Sequence, residues 1–391
     1  MKYYKWSDRG KGRKIGRLGK YCLYEREVTE ETCEIERTKR EKTYGSFKFV
    51  YGPSAGGLLE SIKFDIITDG ERILDINATS FKDRVIKIRG LNVNDALLRI
   101  ERINAPFSAS HTLSFLLSVE DALNIDQDYQ VQLRRIIQLE LERIRNHLFV
   151  ISRLTEMASL SVPAYELLSL VEELNRIIGN ACGHRYFFGV NQINDVKCNF
   201  EGIDKRIEKI QKMFETIFEG LIESRIFIDR LQSNGKLKDE NSIGPSARAS
   251  GFPYDARVDS NFLPYKDFNI NAVIREEGDA FGRFLVRGYE ILQSSMLIKD
   301  IMNNLRGISS VESPKLRGKG EGLARVESSS GDLAYYVKIN DDIIEEILFL
   351  YPSSINLNLF LKSVVGTIFT DFPFNWESFG IWISEIGVRL V

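Results

Sequence analysis

Two side chains stand out as candidates for acid–base chemistry, His111 and Glu60. His111 closes the segment ERINAPFSASH at residues 101–111, where an apolar run begins. A histidine there could handle protons or orient a ligand near neutral pH; a histidine hydrogen-bonded within the core is the alternative. Glu60 lies in the loop GPSAGGLLES at residues 52–61. A buried glutamate beside an apolar pocket could relay protons, whereas a surface glutamate would not, and both interpretations of Glu60 stay open.

The other histidine and cysteine positions favour structural roles. His147 adjoins Leu148 on the apolar face of a long helix, so we interpret it as a core residue. The cysteines form no CxxC pair, which predicts a reduced, intracellular protein without a disulfide framework or structural zinc. A disulfide between Cys22 and Cys33 is the alternative. The four positions are Cys22, Cys33, Cys182 and Cys198.

The elements that must position these residues follow from apolar periodicity. Residues 46–105 are predicted to be β-rich, because Ile62, Phe64 and Ile66 alternate and a turn signal follows at Asp69 and Gly70. Apolar residues spaced three and four apart predict long helices across 106–306. Residues 307–391 read as a β-hairpin followed by an aromatic, loop-like tail. The fold class is therefore α+β: a central bundle of long helices flanked by small antiparallel β-sheets from the N- and C-terminal parts, in a single domain spanning 46–391.

Charge is distributed unevenly along the 391 residues. The net charge is −2, yet residues 1–20 hold eight Lys/Arg and one Asp, so this stretch carries 8 − 1 = +7. Residues 1–45 are therefore predicted to be a basic, charge-rich and loosely attached extension. A solvated tail, docking on an acidic partner and attraction to anionic lipid are its three interpretations. Nucleic-acid binding is not expected. The sequence contains no run of 18 apolar residues, so no membrane span is predicted.

Seven motifs in order resemble one family, the large subunit of membrane-bound [NiFe] hydrogenases and the homologous 49-kDa-type subunit of respiratory complex I. The resemblance covers about residues 46–391, and its ordered motifs imply the fold of that family. The motifs are GPSAGGLLES (52–61), ERINAPFSASH (101–111), ELERIRNHL (140–148), GPSARASG (244–251), REEGDAFGRFLVRGYEILQS (275–294), ARVESSSGDLAYY (324–336) and DFPFNW (371–376).

The resemblance also implies a metal site that has lost its ligands. In the hydrogenases two cysteine pairs hold nickel and iron through four thiolates, and other side chains do not replace all four. By resemblance the first pair falls on Asn104 and Phe107, and the second on Pro373 and Trp376. We therefore expect no [NiFe] centre, no metal and no hydrogenase activity in this chain.

The quinone site of the complex I relatives is equally degenerate by resemblance. Its histidine position falls on Ala55, and its tyrosine position falls at or near Ala105. The arginine that relatives carry in the late hairpin appears here as Ser330, while Arg102 is expected to neutralise Asp371.

Two interpretations of the vacated site stay open. Aromatic side chains could pack it shut, which would recover apolar burial; Phe107, Phe372, Phe374 and Trp376 are expected to meet there. Alternatively, a small apolar cavity could take a hydrophobic ligand. Its expected lining is Glu60, Arg102, Asn104, His111 and Asp371.

The resemblance implies a subunit of a membrane-associated multi-subunit oxidoreductase complex. In that hypothesis the chain binds no cofactor, packs on a partner that carries Fe–S clusters and on membrane subunits, and couples electron transfer to the membrane arm. It would lie in the cytoplasm, peripheral to the inner face of the cell membrane. The alternative hypothesis is a catalytically inactive scaffold subunit with the former site packed shut.

Overall fold

The computed structural model describes residues 5–6, 13–18, 21–24, 27–29, 44–80, 83–259, 262–306 and 314–391. Within these ranges the α+β prediction is confirmed, with long helices at the centre and small sheets around them. The helices are α1 (Val93–Ile100), α2 (Ser108–Leu123), α3 (Tyr129–Met157), α4 (Ser161–Cys182), α5 (Ile203–Glu223), α6 (Arg225–Leu231), α7 (Gly244–Arg248), α8 (Ala256–Asp259), α9 (Ala280–Asn304), α10 (Pro352–Ser363), α11 (Phe372–Phe379) and α12 (Ile383–Ile386). The strands are β1 (Lys5–Trp6), β2 (Lys14–Leu18), β3 (Tyr21–Tyr24), β4 (Glu27–Thr29), β5 (Phe47–Tyr51), β6 (Ile62–Thr68), β7 (Ile73–Ser80), β8 (Arg84–Ile86), β9 (Asn191–Gln192), β10 (Asp195–Val196), β11 (Lys319–Ser328), β12 (Gly331–Asn340), β13 (Ile343–Leu350) and β14 (Val388–Leu390).

The helix α3 is the axis of the bundle and is buried along almost its whole length. It begins where the side chain of Asp128 accepts hydrogen bonds from the backbone N–H groups of Gln130 and Val131, which have no partner inside the helix. α4 and α9 pack along it. Helices α5 and α6 are separated at Ser224, whose backbone is extended.

The predicted hairpin after residue 46 is present. Strands β5, β6 and β7 form an antiparallel sheet in that order. The side chains of Ile62, Phe64 and Ile66 are buried while their neighbours are partly exposed, as the alternation predicted. Gly70 lies in the turn with φ 134°, a conformation that favours glycine.

The C-terminal part differs from the prediction of a hairpin and a loop. Strands β11, β12 and β13 form a three-stranded antiparallel sheet whose first two strands pack against α2. The aromatic tail, predicted to be loop-like, forms α10, α11 and α12. It ends in β14, which pairs in parallel with β8. The tail folds because its aromatic side chains find partners: Phe360 and Trp376 lie 5.0 Å apart between ring centres, inside a second hydrophobic core.

The described part of the basic extension is docked on the fold, contrary to the expectation of loose attachment. Strands β1 to β4 form a sheet in the order β1-β4-β3-β2. Ile15, Leu18 and Leu23 are buried against a group that includes Leu323 and Leu350. Most of residues 1–12 and 30–43 lie outside the described residues, so what the basic stretch contacts stays a prediction.

The prediction of unpaired cysteines is wrong. Cys182, at the end of α4, forms a disulfide with Cys198, 16 residues along the chain. The two segments meet because the backbone N–H of Asn199 donates to the carbonyl of Ala181 at 2.8 Å. Sequence spacing offered no sign of this pairing. Cys22 is also disulfide-bonded, while the alternative partner Cys33 lies outside the described residues.

Among the described helices, none combines the length and the apolar composition that a membrane crossing requires.

Candidate functional site

The segment that follows α1 is fixed by side chains from α3. Residues 105–107 form one 3-10 turn, and α2 starts at Ser108. The first N–H groups of a helix lack partners within the helix. Here the carboxylate of Glu142 accepts from Ala109 N at 2.7 Å and Ser110 N at 3.0 Å. Burial raises the pKa of Glu142, and Arg145 at 3.8 Å opposes that rise.

The C-terminal segment after α11 reaches this turn from the other side. Gly380 adopts φ 64° and ends α11, so that residues 381–385 approach the start of α2. The indole of Trp382 meets the ring of Phe107 edge-on at 6.2 Å and lies stacked at 5.9 Å from Phe149 of α3. Its backbone N–H donates to the hydroxyl of Ser353 at 3.1 Å.

A buried hydrogen-bond network lies beside this aromatic stack. Oε1 of Glu385 lies 3.2 Å from Nε2 of His111 and 3.4 Å from the amide nitrogen of Asn104. The hydroxyl of Ser353 donates to the other oxygen, Oε2. On its far side, Nδ1 of His111 lies 2.9 Å from the hydroxyl of Tyr335. His111 and Glu385 are completely buried, and Asn104 is 3% exposed.

The charge of Glu385 affects its neighbours. Burial raises the pKa of Tyr335 well above its ordinary value, and the nearby Glu385 raises it further. Burial and Glu385 likewise raise the pKa of Tyr351 to about 12. Both phenols therefore stay protonated and can donate hydrogen bonds throughout the physiological range.

The structure gathers four residues from two pairs of equal spacing. Asn104 and Phe107 are three residues apart, and so are Trp382 and Glu385. Contacts join the two pairs, Phe107 to Trp382 and Asn104 to Glu385. The structure therefore brings Trp382 and Glu385 against the first pair of expected former ligand positions.

The expected second pair does not reach the first. Pro373 and Trp376 belong to α11, and Trp376 packs with Phe64 and Phe360 in the second hydrophobic core. Phe372 lies in that same core, whereas Phe374 lies in the main one. The expected meeting of these aromatics at one point is wrong. α11 is a helix that turns its faces to two different cores, and only residues beyond Gly380 reach the site.

These side chains do not fit a [NiFe] centre. A carboxamide, a phenyl ring, an indole and a carboxylate stand where four thiolates would be needed, and the two rings offer no ligand atom. Across the described ranges, no three His, Cys, Asp or Glu side chains are grouped to hold a metal ion.

Three other predicted site residues have partners in different parts of the fold. The carboxylate of Glu60 accepts from Ser384 N at 2.9 Å, so the loop 52–61 is tied to the site segment. Arg102 does not neutralise Asp371. It pairs with Glu101 next to it, since both lie at the end of α1. Asp371 faces Arg230 instead, at 3.9 Å.

Four further residues from the sequence analysis lie in the described part of the chain. Ala55 and Ala105 are half-buried. Ser330 is buried in the β11–β12 turn and donates to the carbonyl of Gly380 at 2.9 Å, which connects that turn to the site segment. His147 is a core residue, between Glu290 at 2.8 Å and Arg287 at 3.1 Å, and burial lowers its pKa to about 3.

Sequence reasoning missed Trp382, Glu385 and Tyr335. Spacing could not have identified the first two, because Pro373 and Trp376 are also three residues apart. Nothing in the sequence singled out Tyr335 among the residues of its strand.

Comparison with known proteins adds three findings. The sequence profile of the family described as the 49-kDa subunit of respiratory-chain NADH dehydrogenase matches residues 168–318. A carbon monoxide-induced hydrogenase of Rhodospirillum rubrum is 25% identical over 82% of this chain and 94% of its own. An NADH-quinone oxidoreductase subunit of Cytophaga hutchinsonii is 24% identical over 85% of this chain and 96% of its own.

A third relative and one solved structure are also similar to this chain. The membrane-bound hydrogenase subunit alpha of Pyrococcus furiosus is 25% identical over 74% of this chain and 75% of its own. The fold is similar to a chain of the membrane-bound sulfane sulfur reductase, an archaeal respiratory membrane complex. The TM-score is 0.81 at 21% identity, covering 88% of this chain and 98% of that one.

Proposed function

We propose that the chain is a subunit of a membrane-associated oxidoreductase complex. The proposal is supported by its similarity to the 49-kDa subunit of respiratory-chain NADH dehydrogenase and to subunits of related hydrogenases. In this proposal the chain holds no [NiFe] centre and binds no cofactor. It couples electron transfer in an Fe–S partner to the membrane arm of the complex.

One observation carries the proposal: relatives from both branches of the family align over more than nine tenths of their own length. A match of that extent spans nearly the whole of each relative and not one segment of it. The proposal therefore extends to the partners, which are an Fe–S subunit and membrane subunits, and to a cytoplasmic position on the inner face of the cell membrane. Residues 1–20 would add contacts to an acidic partner or to anionic lipid.

The contacts of the site support a coupling role. Glu60 ties the loop 52–61 to Ser384, and Ser330 ties the β11–β12 turn to Gly380. A change in charge near the site would therefore act on two separate elements at once. Glu385 and His111 are the buried groups best placed to respond, because both lie in one hydrogen-bonded chain with Tyr335.

The packing favours a second function, that of an inactive scaffold. Phe107 is fully buried against Trp382, which stacks in turn on Phe149. In this alternative the aromatic stack fills the former metal position, and the chain contributes only its surfaces to the assembly.

Purification of the native complex in mild detergent tests the proposal. An affinity tag on this chain should bring down an Fe–S subunit and multi-spanning membrane subunits in fixed ratio, measured by quantitative mass spectrometry. Recovery of the chain alone would contradict the complex. Conversion of Glu385 to Gln within the complex then separates the two functions: coupling requires assembly to persist while turnover falls, and a scaffold requires both to persist. The matched control is Glu166→Gln, on an exposed helix position.

A further inference from the structure

The turn between β11 and β12 is held by arginines from the helices. We call residues 327–330 the hairpin tip. Arg143 of α3 donates to the carbonyls of Glu327 at 2.7 Å and Ser328 at 3.1 Å, and Arg287 of α9 donates to that of Ser329 at 3.1 Å. The carboxylate of Glu327 faces Arg248 of α7. Three buried cations from three helices thus converge on one turn.

These arginines belong to a larger cluster of buried ions. Removing an ion from water costs several kcal/mol, which is recovered only when opposite charges and hydrogen bonds surround it closely. The cluster holds four carboxylates and four guanidinium groups, each at most 3% exposed: Glu140, Asp255, Glu290, Glu327, Arg143, Arg248, Arg257 and Arg287.

Three of the carboxylates are well compensated. Glu290 lies 2.7 Å from Nε of Arg248 and within 4 Å of two more arginines, and it accepts from His147. Asp255 is bound by Arg257 through two nitrogens at 3.0 and 2.7 Å. Glu140 is reached by two arginines and by the hydroxyls of Tyr265 and Ser294.

Glu327 is compensated less than the other three. Its Oε1 lies 2.8 Å from Nη1 of Arg248, and its Oε2 accepts from the backbone N–H of Ala256 at 3.0 Å. That same Nη1 also faces Asp255 at 3.5 Å and donates to the carbonyl of Tyr254 at 2.8 Å. One cationic nitrogen is thus shared among three oxygens, two of which belong to carboxylates.

We propose that Glu327 is a proton-binding site at neutral pH, and that its proton controls how firmly the hairpin tip holds the segment 380–385. The inference goes beyond the proposed function, because it concerns this chain with or without its partners. Burial raises the pKa of Glu327 to about 7, and the negative charges of Asp255 and Asp332 add to that rise against the opposing charge of Arg248.

The surroundings of Glu327 determine what the proton changes. When Glu327 is ionised, Arg248 is held between it and Glu290. Protonation removes the negative charge of Glu327, so its contact with Arg248 is no longer an ion pair. Arg248 then keeps ion pairs only with Glu290 and Asp255. Four charged groups act on Glu327 directly: Arg143, Arg248, Asp255 and Asp332. The charged and titratable groups that neighbour these four are Glu140, Glu290, Arg257, Asp259, Arg325 and His147.

The hairpin tip is also hydrogen-bonded to the segment that leads into the candidate site. The hydroxyl of Ser330 donates to the carbonyl of Gly380 at 2.9 Å, and Arg287 donates to that of Phe379 at 2.9 Å as well as to Ser329. Trp382 follows Gly380 by two residues. Loosening the tip at Glu327 therefore loosens the attachment of the segment 380–385 at Gly380.

Infrared spectroscopy of the full-length protein, labelled with 13C at the glutamate side-chain carboxyls, tests the site directly. The wild-type protein should lose the band of protonated glutamate on titration through about pH 7. Glu327→Gln should remove a distinct part of that change. The matched control is Glu377→Gln, because Glu377 is another buried acid whose pKa burial raises to about 7, at Arg153 and outside the cluster.

Two results would overturn the proton site. One is a wild-type titration with no protonated glutamate above about pH 6, which needs no variant and so is unaffected by misfolding. The other is a neutral-pH change that is equal in wild type and Glu327→Gln and is abolished by Glu377→Gln.

Hydrogen exchange measured by mass spectrometry tests the link to the site. At about pH 8, where wild-type Glu327 is ionised, the Glu327→Gln protein should exchange faster in peptides covering 328–331 and 380–386, by roughly threefold to tenfold. At about pH 6 the two proteins should exchange alike. Equal exchange at both pH values would refute the link, and so would an equal difference at both.

Discussion

Replacement of Glu385 tests whether the network at the former metal position acts as one unit. Alanine would leave His111, Ser353 and Asn104 without the oxygen atoms that they contact now. Leaving a buried polar group unpaired costs about 1–3 kcal/mol. Partial relaxation keeps the sum below the full total, and we expect Glu385→Ala to lower the free energy of unfolding by about 3–5 kcal/mol.

Glutamine at the same position should cost much less. It keeps the volume of the side chain and one carbonyl oxygen for Ser353, but presents an NH₂ group to His111 or Asn104. One opposed donor pair should cost about 1–2 kcal/mol. Urea unfolding of the full-length protein, followed by tryptophan fluorescence, measures both variants against Glu166→Gln on an exposed helix position.

The ratio between the two variants is decisive. An alanine cost below about 1 kcal/mol would show that the network is not a stabilising unit and would refute the reasoning. Equal costs for alanine and glutamine would also contradict it, because the geometry predicts that most of the loss comes from unpaired neighbours.

Three further predictions follow from buried groups elsewhere. Because burial lowers the pKa of His147 to about 3, only its unfolded form binds a proton between about pH 3 and pH 6.5. This residue should therefore remove about 1.4 kcal/mol of stability per pH unit of acidification in that range. The slope should fall by that amount in His147→Gln, and an unchanged slope would contradict the burial. Arg135 binds Glu120 through two nitrogens at 2.7 and 2.6 Å in a fully buried pair. Arg135→Met should therefore lower the free energy of unfolding in urea by about 3–5 kcal/mol. A loss under about 1 kcal/mol would contradict this prediction. Cys182→Ser should lower the free energy of unfolding by about 3 kcal/mol, because the disulfide joins residues separated by 16 positions. The difference from wild type should shrink when a reductant is present; a wild-type stability that does not respond to the reductant would contradict the bond.

The sequence was sufficient for the main elements, while the former ligand positions stay a prediction. The helices were predictable because their apolar residues recur every three or four positions, as on α3 and α9, and the hairpin because Ile62, Phe64 and Ile66 alternate. The first pair, Asn104 and Phe107, was placed by the motif around it.

The segment that contacts Asn104 and Phe107 lies nine residues beyond the expected second pair, at 382 and 385 instead of 373 and 376. The motif DFPFNW resembled the expected pattern in its aspartate and proline, yet it forms a helix that packs into two cores. The proper segment contains neither cysteine nor a motif of its own. Only the contacts with Phe107 and Asn104 identify it.

The buried ion cluster was beyond sequence reasoning for a different reason. Charged side chains are rarely buried, so a local pattern offers no ground for placing Glu140 and Arg143 inside a core. Their partners Arg257 and Glu290 come from distant parts of the chain. Such compensation depends on tertiary contacts that no local pattern records.

The most direct test of the account is an experimental density map of the chain within its native complex, determined by cryo-electron microscopy and centred on Asn104, Phe107, Trp382 and Glu385. The account predicts that these four side chains are in contact, with Glu385 hydrogen-bonded to His111 and no density for nickel, iron or another ligand between them. Density for a metal or a bound molecule separating Phe107 from Trp382 would contradict it.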